Sequence, residues 1–207
     1  MSSYLDETAS QTAGPYVHIG LIPAQAGFDI FQNNFHNQLA GADAKGERIR
    51  IEGYVIDGTG APIRDALLEI WQANAAGRYN HPEDKASPET PLDPGFRGWG
   101  RTGTDFRTAL YHFDTVKPGM VRMQDGRIMA PHVNFWIAAR GINIGLQTRM
   151  YFADESAANA ADPLLRLVEQ DSRRQTLIAP REARDGAIVY RFDIRLQGDR
   201  ETVFLDA

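Results

Sequence analysis

The stretch KPGMVRMQDGRIMAPHVNFWIAARGINIGLQTR, Lys117 to Arg149, decides how the rest of the chain is read. In its middle, Val133, Phe135, Ile137 and Ala139 alternate with His132, Asn134, Trp136, Ala138 and Arg140. Side chains two residues apart on a strand point the same way. The spacing therefore predicts a β-strand that buries four apolar residues on one face. Its other face presents imidazole, amide, indole and guanidinium together. A plain core strand has no use for that set, so this face is the first place to look for a site.

Alternation recurs on both sides of this strand. Toward the C-terminus, Thr148, Met150 and Phe152 alternate with Gln147, Arg149 and Tyr151. Farther on, Ile188, Tyr190, Phe192, Ile194 and Leu196 line one face of a long strand, and 202–205 extends it or pairs with it. Toward the N-terminus, strands are predicted near 100–104 and 111–116, the second ended by Lys117-Pro118-Gly119. Ile49, Ile51 and Val55 form another apolar face, and Ala66, Leu68 and Ile70 a further one. The intervening Asp57-Gly58-Thr59-Gly60 supplies the positive-φ positions of a tight turn, so these two runs read as a hairpin. Residues 73–98, with Pro82, Pro88, Pro91 and Pro94, read as a long ordered loop of the kind that carries function.

Helical signals fall between Asp154 and Arg174 alone. Asp154 is suited to cap a run through Ala161. Asp162 before Pro163 sets a capping carboxylate ahead of a proline at the first helical position. Leu164, Leu165 and Val168 then share a face. The predicted fold is all-β: an antiparallel β-sandwich with long loops, an extended N-terminal arm and one short helical insert. Residues 1–46 form the arm, where Gly14 and Pro15 fix a turn beside the apolar anchors Tyr16, Val17 and Ile19. Such an arm wraps its own domain or lies on a partner, with residues 1–8 a mobile terminus. Residues 47–207 form the sandwich.

Composition narrows the function. A chain of 207 residues that is 43% hydrophobic buries one large core. Its net charge of −5, with the basic residues dispersed, argues against a nucleic-acid surface. It has no apolar run near the roughly 20 residues of a membrane helix, nor a secretory leader, so a cytoplasmic location is expected. With no cysteine it makes no disulfide or thiolate metal site. It also lacks a GxSxG elbow and a phosphate-cradling glycine loop.

Metal chemistry is harder to read. His132 and Asn134, at i and i+2, point the same way on a strand. An amide, however, is a weak neutral donor for a highly charged ion. His18, His36, His81 and His112 are scattered, so His132 reads first as a hydrogen-bonded pocket residue. Tyr79, in the long loop, is a phenolate ligand, an acid–base group or a packing residue. Arg140 ends the focal strand just before Gly141; it offers a planar fork to a carboxylate or makes a surface ion pair.

The runs EIWQANAAGRY (69–79), GRTGTD (100–105), TVKPG (115–119) and APHVNF (130–135) resemble the intradiol ring-cleavage dioxygenases. Within that family, QTAGPYVHIG (11–20), ARGINIGLQTRMYF (139–152) and YRFDIRLQG (190–198) with ETVF (201–204) are similar to the α-type chain of a two-chain enzyme. The resemblance runs from Ser10 to Phe204. It implies a non-haem Fe(III) held elsewhere in the family by two tyrosines and two histidines. Tyr79 and His132 stand at two of those positions. Val121 stands where the second tyrosine belongs, Asn134 where the second histidine belongs, and Met129 replaces an arginine. The resemblance therefore implies that this chain holds no metal and that the iron lies in a homologous β chain. Thr12, Gly14, Pro15, Tyr16 and Arg140 would wall the partner's pocket, Arg140 taking the substrate carboxylate. The implied reaction opens 3,4-dihydroxybenzoate (protocatechuate) with O2 to 3-carboxy-cis,cis-muconate. Two other readings stay open: a single-chain iron-containing enzyme of the family, and a non-enzymatic β-sandwich binding module.

Overall fold

The computed structural model of the chain describes residues 9, 11–31, 36–84 and 89–206. The terminus at 1–8, expected to be mobile, and Pro88 lie outside the described residues. The strands are β1 (Arg48–Ile56), β2 (Leu67–Gln72), β3 (Trp99–Gly103), β4 (Leu110–Val116), β5 (Val121–Arg122) and β6 (Ile128–Met129). They continue with β7 (His132–Ala138), β8 (Leu146–Phe152), β9 (Ile178–Ala179), β10 (Arg181–Arg184), β11 (Ala187–Arg191) and β12 (Ile194–Arg195). Three short helices accompany them: α1 (Val17–Leu21), α2 (Ser156–Ala161) and α3 (Asp171–Arg174).

Two five-stranded sheets face each other, one ordered β10-β11-β1-β12 with β4 on β1, the other β3-β2-β7-β8-β9. Their inner faces form one core. Ile49, Ile51, Phe113 and Tyr190 come from the first sheet; Leu68, Ile70, Val133, Phe135, Ile137 and Met150 come from the second. Phe135 lies edge-on to Phe113, at 6.2 Å and 83°, and to Tyr111, at 6.1 Å and 66°. That geometry aligns the positive ring edge with the negative face. The alternation in β7 thus has the expected cause, since Val133, Phe135, Ile137 and Ala139 all enter this core.

The all-β sandwich matches expectation, but the sheets are mixed rather than antiparallel. β1 pairs parallel with β11 and β12, and β8 parallel with β9. The long strand expected over 188–196 is interrupted at Phe192–Asp193. There Asp193 Oδ1 accepts from the Tyr54 amide at 3.0 Å, replacing a ladder carbonyl. A side chain on Gly53 would strike the Phe192 carbonyl at 1.9 Å, so glycine is what lets the two segments approach. β1 and β2 do not form the expected hairpin. The 57–61 turn closes, and pairing lasts only to an Ile56–Pro62 bridge. Proline has no amide to continue the ladder. The chain then crosses to the other sheet, where β2 pairs with β3 and β7. Residues 202–205 do pair, through Gln147–Leu205 on β8 and the Thr202 amide on Arg195.

The helical region also differs in detail. Asp154 does not cap α2; Lys117 holds it at 2.7 Å and the Tyr190 hydroxyl donates to it. Asp162 does cap, accepting from the Leu164 and Leu165 amides at 2.9 Å. α1 lies in the arm, where no helix was expected. Five residues cannot hold a helix alone; burial of His18 and Ile22 keeps it in place.

Candidate functional site

The outer face of β7 is not one site but two, because the arm crosses its middle. Ile22 and Ala13 pack on Leu67, Ala138 and Trp136. His132 and Asn134 remain at one end and Arg140 at the other. Eight residues of strand at about 3.3 Å each separate His132 from Arg140 by roughly 25 Å.

At the first end, the 73–98 loop returns Tyr79 over β7. Asn74 organises that loop, its Oδ1 accepting from the Ala76 and Arg78 amides, and Asp84 takes the Tyr79 amide at 2.8 Å. The Tyr79 hydroxyl stands 3.0 Å from His132 Nε2, and His132 Nδ1 lies 2.7 Å from the Ala130 carbonyl. A carbonyl can only accept, so Nδ1 carries the proton and Nε2 accepts from Tyr79. Asn134 Nδ2 then donates to the Tyr79 oxygen at 3.3 Å, while Asn134 Oδ1 accepts from Arg149 Nε at 2.8 Å. One directed chain results, from Arg149 through Asn134 and Tyr79 to His132 and Ala130. Burial and the Arg149 charge hold His132 down to about 3, so it is neutral. Burial raises Tyr79, against the Arg149 charge, so it stays a phenol.

Above this network is a cleft of about 540 Å³ lined by Trp71, Tyr79, Val121, Met123 and Met129. Trp71 and Tyr79 stack at 6.0 Å and 14°. Val121 pairs with Met129 between β5 and β6 and is buried.

Arg149 is the residue that sequence reasoning missed. Strand alternation had put it on the site face of β8, and the β7–β8 register sets it opposite Asn134. What the sequence lacked was that register. The loop between these strands does not fix it by length alone.

At the other end, Thr12 staples the arm to the turn after β7. Its Oγ1 accepts from the Gly141 amide at 2.9 Å and donates to the Ile142 carbonyl at 3.0 Å. Gly141, at φ +85°, makes that turn. Gly14 lies beyond Thr12, its carbonyl accepting from the Val17 amide, followed by Pro15 and a Tyr16 that is 75% exposed. Arg140 points outward, its side chain 63% exposed, with Nε 2.6 Å from Asp65 Oδ2. So Thr12 and Arg140 share one edge, and Tyr79, Val121, His132 and Asn134 gather at the opposite one.

Comparison with known proteins follows this division. The family model for the dioxygenases (Dioxygenase_C) matches residues 25–198. The chain is 50% identical over 202 residues to the "Protocatechuate 3,4-dioxygenase alpha chain" of Pseudomonas putida, covering 98% of this chain and 97% of that one. The chain belongs to the intradiol dioxygenase family. It is also 36% identical over 169 residues to the "Protocatechuate 3,4-dioxygenase beta chain" of Burkholderia cepacia, covering 78% of this chain and 69% of that one. In fold it is similar to the dioxygenase domain of a dioxygenase–carbohydrate-binding fusion from Streptomyces sp. SirexAA-E. That match has a TM-score of 0.55 at 21% identity and covers 96% of this chain and all of the other.

For an intradiol dioxygenase, the donors around Tyr79 do not suit a ferric ion. Val121 has no donor atom, and Asn134 offers a neutral amide already engaged by Arg149. The His132 lone pair accepts from Tyr79. Arg149 brings its own positive charge to the network, and a cation there opposes a second one. Iron does not fit this set.

Proposed function

We propose that this chain is the α-type subunit of a protocatechuate 3,4-dioxygenase. It would assemble with a homologous β chain that holds the Fe(III), and it would wall the partner's substrate pocket. The reaction of the assembly is cleavage of 3,4-dihydroxybenzoate by O2 to 3-carboxy-cis,cis-muconate. One observation carries the reading: the network around Tyr79 is closed on Arg149, while Arg140 opens outward some 25 Å away. A single-ring acid held by Arg140 cannot reach Tyr79, so Arg140 must serve a centre on another chain.

The arm and strand end supply the pocket parts. Arg140 takes the benzoate carboxylate by charge-assisted hydrogen bonding and orients the two ring hydroxyls toward the partner. Thr12 fixes the turn that carries Arg140. Gly14 and Pro15 offer a low wall of backbone to the ring, and the exposed Tyr16 closes against the partner and excludes water. Phe28, Ile30 and Phe31, each more than half exposed on the arm, fit an apolar interface with that chain. Among the described residues no helix is long and apolar enough to cross a membrane. A cytoplasmic location accords with that and with the absence of cysteine.

The test uses the complex co-expressed with the β chain. A hydrogen bond to a charged group contributes about 1.5–3 kcal/mol, roughly tenfold to hundredfold in affinity. Arg140→Ala should raise KM for 3,4-dihydroxybenzoate by that factor and leave KM for unsubstituted catechol nearly unchanged. An equal change for both substrates would remove the carboxylate role.

A further inference from the structure

The contact of Arg140 with Asp65 follows from sheet register. β2 and β7 run antiparallel with Leu67 opposite Ala138 and Leu68 opposite Ile137. Two steps outward along the same register, Asp65 falls opposite Arg140. The carboxylate is well fixed. It precedes Ala66, which is fully buried and whose amide donates to Thr104 Oγ1 at 3.1 Å. The Asp65 side chain is 11% exposed against 63% for Arg140. A nearly buried anion thus holds the base of an otherwise free cation.

We propose that Asp65 is the positioning residue of Arg140, and that it sets preference for aromatic acids over neutral catechols. This rests on the carboxylate role of Arg140 given above. The ion pair engages Nε, on the flank of the guanidinium, at 2.6 Å. The two terminal amino groups, which grip a carboxylate side by side, remain outside that contact. An arginine is rotamer-rich, and ordering it only when ligand arrives weakens binding. Asp65 orders it beforehand, while Thr12 and Gly141 fix the backbone beneath. The Asp65 charge also repels an incoming carboxylate. It lies behind Nε, however, with the guanidinium between it and the ligand, so orientation outweighs repulsion. Asp65 touches neither ring nor oxygen and acts only through Arg140.

The experiment compares Asp65→Ala, Asp65→Glu, Arg140→Ala and the Asp65→Ala/Arg140→Ala double variant in the iron-loaded complex. Steady-state kinetics are read on 3,4-dihydroxybenzoate and on catechol. Asp65→Ala should raise KM for the acid about tenfold with kcat held and catechol kinetics unchanged. Asp65→Glu should recover most of that loss, and Asp65→Ala should add nothing once Arg140 is alanine. Should Asp65→Ala fail to assemble, Asp65→Asn keeps the shape and should shift KM in the same direction. An unchanged or lowered KM in Asp65→Ala or Asp65→Asn, with Arg140→Ala still raising it, overturns the role of Asp65 alone. If Arg140→Ala itself leaves KM for the acid unchanged, the reading of Arg140 falls and this inference falls with it.

Discussion

At the scale of single residues, the site around Tyr79 shows how a metal position closes once its donors change. Replacing a tyrosine by Val121 and a histidine by Asn134 leaves Tyr79 and His132 without a shared cation, and they bond to each other at 3.0 Å. Arg149 then anchors the amide from the far side at 2.8 Å. Restoring Val121→Tyr and Asn134→His would meet that charge, so ligand type alone does not remake the centre. His132 gives this network a pH signature. Its folded value, about 3, lies below the ordinary 6.5 because of burial and the Arg149 charge. The folded state therefore resists protonation. The stability this contributes is fully present above pH 6.5 and is lost as pH falls from 6.5 toward 3, by up to about 1.4 kcal/mol per pH unit. Urea denaturation of the complex at several pH values should show the midpoint falling over that window, and His132→Gln should flatten the fall. An unaltered slope in His132→Gln would mean that His132 is not buried neutral. Arg140 and the Tyr79–His132 pair could be picked out from residue type and strand parity. Arg149 and Asp65 could not, because each depends on which residue lies across the sheet.

At the scale of elements, parity was legible and pairing was not. The faces of β1, β2, β7 and β8 follow directly from period-two patterning, since each side chain sees core or its opposite. The β1–β2 hairpin failed because a tight turn was taken to imply lasting pairing. Pro62 ends that pairing, and both strands need separate partners to bury their apolar faces. The helix in the arm was invisible for a related reason: five residues take their shape from burial of His18 and Ile22, not from local propensity. The arm matters through Thr12, whose hydroxyl holds the turn after β7 by two hydrogen bonds. Each is exposed, so water can replace it and the global cost of loss is about 1 kcal/mol. Thr12→Val should therefore leave the fold intact. Amide exchange at Gly141 should quicken, and KM for 3,4-dihydroxybenzoate should rise severalfold as the turn loosens beneath Arg140. Unchanged exchange at Gly141 would show that the arm does not pin that turn.

At the scale of the whole molecule, one sandwich carries two edges with different fates. The edge at Tyr79 keeps the loop, the cleft and half the ligand types, yet its polar atoms satisfy one another. The edge at Arg140 keeps a fixed turn and an outward cation. A chain built this way does chemistry only beside another that holds what it lacks. The motif pattern pointed to that division before any coordinates were considered, whereas the crossing of the arm between the two ends required the fold. Iron stoichiometry tests the claim most directly, measured by metal analysis on the complex, on the complex carrying Tyr79→Phe in this chain, and on this chain alone. The account expects one iron for each pair of chains in the complex, the same content after Tyr79→Phe, and none on this chain alone. Iron bound stoichiometrically by this chain alone, or lost from the complex on Tyr79→Phe, would contradict it.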